Sequence, residues 1–107
     1  MVEKEIIEII RKFRKAIEER GIRVKKIILY GSYATGKFNK DSDIDVAVVS
    51  PDFGKDRFEE GVMLFEIASE IDPRIEPVPL SLSSFQNDTW VPLIYEIREK
   101  GLELKKL

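Results

Sequence analysis

The segment KIILYGSYATGKFNKDSDIDVAVVS, residues 26–50, contains the strongest structural signal in this chain. Residues 26–30 are mostly apolar and β-branched, which predicts a buried strand that ends at Gly31. A second apolar stretch covers about residues 43–50, and Asp43 and Asp45 interrupt its hydrophobic pattern. The segment therefore predicts two strands joined by a turn, a short helix over about 32–36 and a polar loop.

The turn at Gly31 and Ser32 has the features of an anion-binding site. A helix or turn that begins here would direct free backbone N–H groups, together with the Ser32 hydroxyl, at an anion. Glycine at position 31 permits a close backbone approach or an unusual φ angle. The alternative is that Gly31 and Ser32 form a plain strand-to-helix connection.

Asp43 and Asp45 are spaced so that both side chains leave the same face of a strand. Their Cα atoms would lie roughly 6 to 7 Å apart, because a strand rises about 3.3 Å per residue. Beyond Asp45 this row continues with Ala47 and Val49, which is too apolar for an ordinary solvent-facing row. Unpaired buried carboxylates are costly, and Mg²⁺ binds through one or two carboxylates plus substrate phosphates. The alternative, an Asp-Ser-Asp turn and cap cluster, leaves Asp45 without a role in an apolar strand.

This combination resembles the nucleotidyltransferase superfamily of the polymerase-β type, and within it the minimal nucleotidyltransferases. The family pattern is Gly-Ser, a later Gly and then Asp-x-Asp in an apolar strand, which matches Gly31, Ser32, Gly36, Asp43 and Asp45. The order of the predicted elements extends the resemblance across nearly the whole chain. The resemblance implies that Asp43 and Asp45 bind two Mg²⁺ ions, while Gly31 and Ser32 hold the terminal phosphates of ATP.

The family usually adds a third carboxylate from a later strand, and Glu76 is the candidate for it. Residues 74–80 form the only extended apolar segment after residue 50 that carries an internal acid. The family more often has Asp there, so Glu76 departs from the pattern by one methylene. Pro77 and Pro79 cannot donate to a sheet ladder, which predicts an edge strand or an irregularly paired one. A solvent-facing Glu on that strand is the alternative, and Asp72 is a weaker substitute because Asp72-Pro73 indicates a helix end.

Composition restricts the chemistry further. A chain of 107 residues predicts one domain, residues 1–107, without a large acceptor-binding domain. No cysteine and no histidine are present, which excludes disulfides, thiolate chemistry and the commonest general base. Nucleotidyl transfer tolerates this, because metal ions and positioning supply most of the catalysis. Neither a membrane span nor a signal peptide is predicted, so we expect a cytoplasmic protein without membrane contact.

The charges are unevenly distributed along the chain. Residues 1–40 carry 11 Lys or Arg against 5 Asp or Glu, whereas residues 41–107 carry 7 against 15. The acidic part contains the predicted metal site, and the basic part could meet an acidic partner or the outer phosphates of the nucleotide. For most of these charges, solvated helix faces are the simpler interpretation.

The rest of the pattern predicts helices around a sheet. Apolar residues at helical spacing predict a first helix over residues 3–20, closed by Gly21, and another over about 58–71. Residues 91–104 resemble the closing helix, glycine cap and short strand of small nucleotidyltransferases, with Pro92 in the first turn and Gly101 at the exit. The predicted fold class is therefore α/β, a small mixed β-sheet of three or four strands flanked by helices, as in the nucleotidyltransferase fold.

Trp90 precedes the closing helix and is interpreted first as a core or lid anchor. An exposed Trp90 could instead form a docking surface for a partner helix, together with Tyr95 and Phe85.

Two functions from different classes fit these residues. The first is a metal-dependent nucleotidyltransferase that moves AMP from ATP to an acceptor hydroxyl, with Asp43, Asp45 and Glu76 as catalytic metal ligands. Minimal nucleotidyltransferases often accompany a small helical HEPN ribonuclease toxin, which they neutralise by binding and adenylylation, so the resemblance implies an antitoxin with a HEPN-type partner. The second is a catalytically weak or inactive binding module that neutralises a partner by contact, which the Glu at position 76 favours. Direct nucleic-acid binding is not predicted, because a nucleic-acid-adding or antibiotic-modifying enzyme needs more chain and a basic tract.

Overall fold

The computed structural model describes residues 3–105, which form one mixed sheet with helices on both sides. The elements in chain order are α1 (Lys4–Glu19), β1 (Lys26–Tyr30), α2 (Ser32–Thr35), β2 (Ile44–Ser50), α3 (Arg57–Ile71), β3 (Ile75–Ser81), α4 (Leu82–Asn87), α5 (Pro92–Lys100) and β4 (Leu102–Glu103). This confirms the predicted α/β class, and the predicted boundaries lie within a few residues of the observed ones. Helix α4 was not predicted.

The sheet has the strand order β3-β2-β1-β4. Strands β1 and β2 are antiparallel, as are β1 and β4, whereas β2 and β3 are parallel and joined through α3. Strand β3 lies at the edge, which confirms the expectation from Pro77 and Pro79. The parallel pairing places Ile44 beside Ile75 and Asp45 beside Glu76.

One face of the sheet, here called the first face, is covered by the two long helices α1 and α3. Side chains alternate between faces along each strand, so every second residue of β1, β2 and β3 points to these helices. The main residues of this core are Phe13 and Ile17 of α1, Ile27 and Leu29 of β1, Ile44, Val46 and Val48 of β2, Leu64 and Ile67 of α3, and Ile75 of β3. They are almost completely buried and form the larger of the two hydrophobic clusters.

The opposite, second face is covered by the shorter helices α4 and α5. Its buried cluster consists of Ile28, Tyr30, Ala47, Val49, Leu80, Ile94 and Ile97. The row Asp45-Ala47-Val49 belongs to this face, and Ala47 and Val49 are fully buried, as the pattern predicted. Asp45 stands at the end of the row, where the cover of the helices stops.

Two apolar segments differ from a simple buried pattern. Trp90 is 79% exposed, so its interpretation as a core anchor is wrong. Phe85 is half-buried and the guanidinium carbon of Arg98 lies 5.7 Å from its ring centroid, whereas Tyr95 is exposed. Helix α3 points Phe58 and Phe65 to solvent while it buries Leu64 on its other side.

No helix within residues 3–105 is long and apolar enough to cross a membrane.

Candidate active site

A row of three polar side chains crosses the sheet on its second face. Tyr30 of β1 pairs with Asp45 of β2, and Asp45 pairs with Glu76 of β3. Side chains at paired positions share a face with Cβ atoms about 4.5 to 5.5 Å apart. The structure thus places Glu76, the candidate third carboxylate, directly beside Asp45. Asp43 is exposed and lies immediately before β2, because the strand begins at Ile44, one residue later than predicted.

Gly31 follows Tyr30 and lies against the Asp45 carboxylate. Its φ angle is +69°, in the region that L side chains rarely adopt. A Cβ atom at position 31 would lie 2.2 Å from Oδ2 of Asp45. Both the backbone conformation and the close approach therefore require glycine here, and the approach brings the turn and the acid of the predicted site into contact.

Helix α2 begins at Ser32, with Gly31 as its N-cap and no side chain capping its N-terminus. The N–H groups of Ala34 and Thr35 donate to the Gly31 carbonyl, whereas the first N–H groups of a helix have no partner within it, so those of Ser32 and Tyr33 are suited to donate to an anion beside Asp45. Ser32 is half-buried at this position. The predicted anion-binding turn and the predicted carboxylates therefore meet at one end of the sheet.

The loop between α2 and β2 is held by local contacts that position Asp43. The Phe38 ring stacks on Tyr33, with ring centroids 4.4 Å apart and planes inclined by 15°. The Asn39 N–H donates to the Ser42 hydroxyl, and the Ser42 N–H donates back to the Asn39 carbonyl. Ser42 therefore closes a turn, and Asp43 follows that turn immediately before β2.

Electrostatic repulsion marks this end of the sheet. The pKa of the Asp45 carboxyl is raised, first by burial and then by the negative charges of Asp43, Glu76 and Glu96. Burial and the charges of Asp45, Glu96 and Glu76 raise the pKa of Tyr30 to about 12. None of the ion pairs formed among residues 3–105 involves these carboxylates. The site therefore concentrates negative charge that the described chain does not neutralise.

Glu96 is the acidic residue that sequence reasoning missed. It lies on α5, and its charge acts on both Asp45 and Tyr30. No local pattern marks it, because Glu96 is an ordinary exposed helix residue until α5 packs over the second face through Ile94 and Ile97.

Asp72, the weaker substitute for the third carboxylate, is engaged elsewhere. It caps the C-terminus of α3, and its carboxylate accepts hydrogen bonds from the Arg74 backbone and guanidinium. These bonds lower the pKa of Asp72. Glu76 therefore remains the third candidate ligand.

The donor set is suited to a hard divalent cation bound together with phosphate. Within residues 3–105, no three acidic side chains stand close enough together to enclose an ion by themselves. Mg²⁺ commonly takes one or two carboxylates and completes its shell with phosphate oxygens and water. Asp43 and Asp45, with Glu76 adjacent, meet that requirement, and a cation would relieve the repulsion described above.

The chain belongs to the nucleotidyltransferase domain family, whose model matches residues 10–104. Two relatives from Methanocaldococcus jannaschii are provisionally named as protein adenylyltransferases. One is 39% identical over 67 residues, which cover 63% of this chain and 66% of the relative. The other is 29% identical over 101 residues, which cover 94% of this chain and 99% of the relative. The family resemblance inferred from Gly31, Ser32, Asp43 and Asp45 is confirmed.

Solved structures show the same fold. A provisionally assigned nucleotidyltransferase from Sulfolobus solfataricus superposes with a TM-score of 0.58 at 19% identity, over 94% of this chain and 86% of the other. The second is described as a toxin–antitoxin structure with AMP-PNP. It superposes with a TM-score of 0.60 at 25% identity, over 91% of this chain and 73% of the other. The structure of this chain is therefore that of a nucleotidyltransferase domain.

Proposed function

We propose that this chain transfers AMP from ATP to a hydroxyl group of a partner protein, and that the partner is a HEPN-type toxin which the transfer neutralises. Family membership makes the chain a nucleotidyltransferase. The AMP-PNP and the toxin–antitoxin assembly named for a structural neighbour support ATP and a protein partner. The two relatives named as protein adenylyltransferases support a protein acceptor.

One observation carries this proposal: the Gly31 backbone lies against the Asp45 carboxylate. A triphosphate held at the N-terminus of α2 would reach the carboxylates directly, without a change of fold. Negative charges on both the phosphates and Asp45 would repel each other unless a divalent cation lies between them. Mg²⁺, held by Asp43 and Asp45 and helped by Glu76, would supply that charge and stabilise the entering and leaving oxygens.

The transfer would be a single displacement at the α-phosphorus of ATP, and residues of this chain would orient the reacting groups. The acceptor oxygen forms a bond to the α-phosphorus of ATP, and the bond from that phosphorus to the bridging oxygen breaks to release pyrophosphate. The acceptor hydroxyl proton needs a base, and Glu76 is the exposed carboxylate beside Asp45 that can accept it. Gly31 and Ser32 hold the leaving phosphates in line. No covalent enzyme intermediate is required.

The decisive experiment follows the α-phosphate. The protein is incubated with Mg²⁺, a small helical protein encoded beside its gene, and ATP labelled in either the α- or the γ-phosphate. Label on the partner from α-labelled but not from γ-labelled ATP indicates AMP transfer. Label from γ-labelled but not from α-labelled ATP would indicate phosphoryl transfer and contradict the proposal.

Variants test the named residues. Asp45→Asn should lower transfer by at least about 10²-fold, because it removes charge stabilisation at the reacting phosphate. Asp41→Asn is the matched control: it is the same change four residues earlier, at an exposed position in the loop before β2, and should leave transfer unchanged. Glu76→Gln should lower transfer more than Glu76→Asp, since Asp retains the carboxylate.

A second candidate function is neutralisation by contact alone. The exposed Glu76, where the family more often has Asp, favours it, as does the lack of a closed acidic ligand set within residues 3–105. In that case the complex would form equally well with Asp45→Asn, the toxin would be inhibited, and no label would transfer.

A further inference from the structure

Helix α3 is apolar on two opposite sides. Leu64 and Ala68 pack into the core beneath the first face of the sheet. On the outer side, Phe58, Val62 and Phe65 are 76%, 39% and 58% exposed. The spacing of four and then three residues places these three side chains in one row along the helix. Three large apolar side chains in one exposed row are more than a scatter of single surface residues.

Gly61 opens a shallow groove beside this row. Glycine is unfavourable within a helix, and nothing lies within 4 Å of the position that a Cβ atom would occupy. Packing within the described chain therefore gives no reason for glycine here. The groove is lined by Arg57, Phe58, Gly61, Val62 and Phe65.

Arg57 lines both this groove and a neighbouring pocket of about 220 Å³. The apolar side chains of the pocket include Leu80, Trp90, Leu93 and Ile94, and Glu60 and Asp88 line it as well. We call the combined surface of Phe58, Val62, Phe65, Arg57, Trp90 and Leu93 the α3–Trp90 surface. Aromatic and Arg residues are the types enriched at the energetic centre of protein interfaces.

An acidic row borders this surface along one side. Glu59, Glu66 and Glu70 are exposed and lie roughly 90° around α3 from the apolar row, given 3.6 residues per turn. The ion pairs formed within residues 3–105 include none of the three. The complementary surface therefore carries apolar side chains with Lys or Arg along one flank.

We propose that the α3–Trp90 surface docks an amphipathic helix of the partner protein, with a basic flank against Glu59, Glu66 and Glu70. This inference rests on the proposed function for the existence of a protein partner. A second copy of the chain is a poorer occupant. In an antiparallel two-fold pairing of two α3 helices, both acidic rows lie on the same side of the interface and repel. Helix α3 covers the first face, and on the second face the pocket reaches Leu80, which lies four residues along β3 from Glu76, so docking leaves the nucleotide site open.

Trp90 makes the docking directly measurable, because it is the single tryptophan of the chain. The probe is a synthetic helical peptide without tryptophan, with leucines at three- and four-residue spacing and lysines along one flank. A twin peptide carries glutamates in place of the lysines. We expect the basic peptide to shift Trp90 emission to shorter wavelength, and the acidic twin to bind at least about tenfold more weakly.

Variants locate the contact. Phe65→Glu and Val62→Glu should each weaken binding of the basic peptide at least about tenfold. The matched control is Tyr95→Glu, which makes the same change at an aromatic residue of similar exposure on α5, outside the surface, and should leave binding unchanged. Glu66→Lys should weaken the basic peptide and strengthen the acidic twin. Circular dichroism checks that each variant is folded.

Several results would overturn the inference. These are equal binding of the two peptides, no Trp90 response up to about 1 mM peptide, or binding that Phe65→Glu leaves unchanged. A dimer of the chain alone that Phe65→Glu dissociates would identify a second copy as the occupant instead. Asp45→Asn retains the whole surface and should bind the peptide normally, so failure of AMP transfer and failure of docking are read separately.

Discussion

The two faces of the sheet differ in what they bury. On the first face, the long helices α1 and α3 cover an almost wholly apolar core. On the second face, the short helices α4 and α5 cover only part of the strands, and the uncovered end carries Asp45 and Glu76 side by side. Stability is therefore concentrated on one side of the sheet and chemistry on the other.

Side chains alternate between the two faces along each strand, so a shift of β2 by one residue would move each of its side chains to the opposite face. It would place Asp45 beneath α1 and α3, where an unpaired carboxylate is costly, and Val46 in the site. The site therefore depends on the first face, because the apolar residues of that face hold β2 in register.

The largest expected effect is on the first face. Phe13→Ala should lower the free energy of unfolding by about 3 to 5 kcal/mol, because Phe13 is fully buried and its removal leaves a cavity. Urea unfolding measures the change. Phe58→Ala is the matched control, since Phe58 is 76% exposed and its loss should cost no more than about 0.5 kcal/mol. Equal costs at the two positions would show that the first face is not the stabilising one.

The second prediction compares Gly31, which contacts Asp45, with a glycine that has no such contact. Gly36→Ala places a side chain in the left-handed α region (φ +80°, ψ 8°) at a cost of about 1 to 2 kcal/mol, whereas Gly31→Ala does so at φ +69° and ψ −146°, in a region that is essentially restricted to glycine and adds further backbone strain. Only at Gly31 does the new Cβ meet the Asp45 carboxylate, since nothing lies within 4 Å at Gly36. Calorimetry should therefore show a greater loss for Gly31→Ala, and the labelled-ATP assay a selective loss of transfer. Equal losses for both would contradict the contact.

The third prediction concerns the pH dependence of stability, which should have opposite signs for the acidic residues at the two ends of β2. The folded pKa of Asp45 lies above its ordinary value of 3.8, so the folded state binds this proton more tightly than the unfolded state. Stability therefore falls as the pH rises from about 3.8 through the raised pKa. Asp45→Asn removes this penalty, so the variant should melt at a higher temperature than the wild type at pH 7. At pH 3 the difference should vanish.

Asp52, beyond the other end of β2, gives the reverse case. Hydrogen bonds from Arg23 lower its pKa to about 2. Its contribution is therefore complete above about 3.8 and is lost as the pH falls toward 2. Asp52→Asn should lower the melting temperature at pH 7 and have little effect at pH 2. Thermal melts across pH with both variants test the pair, and shifts of the same sign would refute the assignment.

The smallest expected effect is at Gly61, on the outer side of α3. Gly61→Ala should raise the free energy of unfolding by about 0.5 to 1 kcal/mol, because alanine favours the helix and the space beside it is open. Chemical denaturation of the free protein measures it. A loss of stability would show that the groove is filled by the chain itself.

Much of the fold was predictable because its signals are local. Alternating apolar residues indicated β1 and β2, Pro77 and Pro79 indicated an edge strand, and Gly21 marked the end of α1. Helix α4 was missed because its six residues are too few to show a helical period. Trp90 was misinterpreted, since a large apolar residue beside a helix gives no sign of which way it faces.

The sequence alone predicted the part of the site formed by Gly31, Ser32, Asp43 and Asp45, because a turn and a strand set the direction of neighbouring side chains over a few residues. The other residues of the site and of the outer surface are positioned by strand pairing and helix packing. The register of β3 places Glu76 beside Asp45, the packing of α5 brings Glu96 near Asp45, and the rotation of α3 turns Phe58 and Phe65 outward. These contacts join residues distant in the chain, and burial of apolar surface across the whole domain selects them.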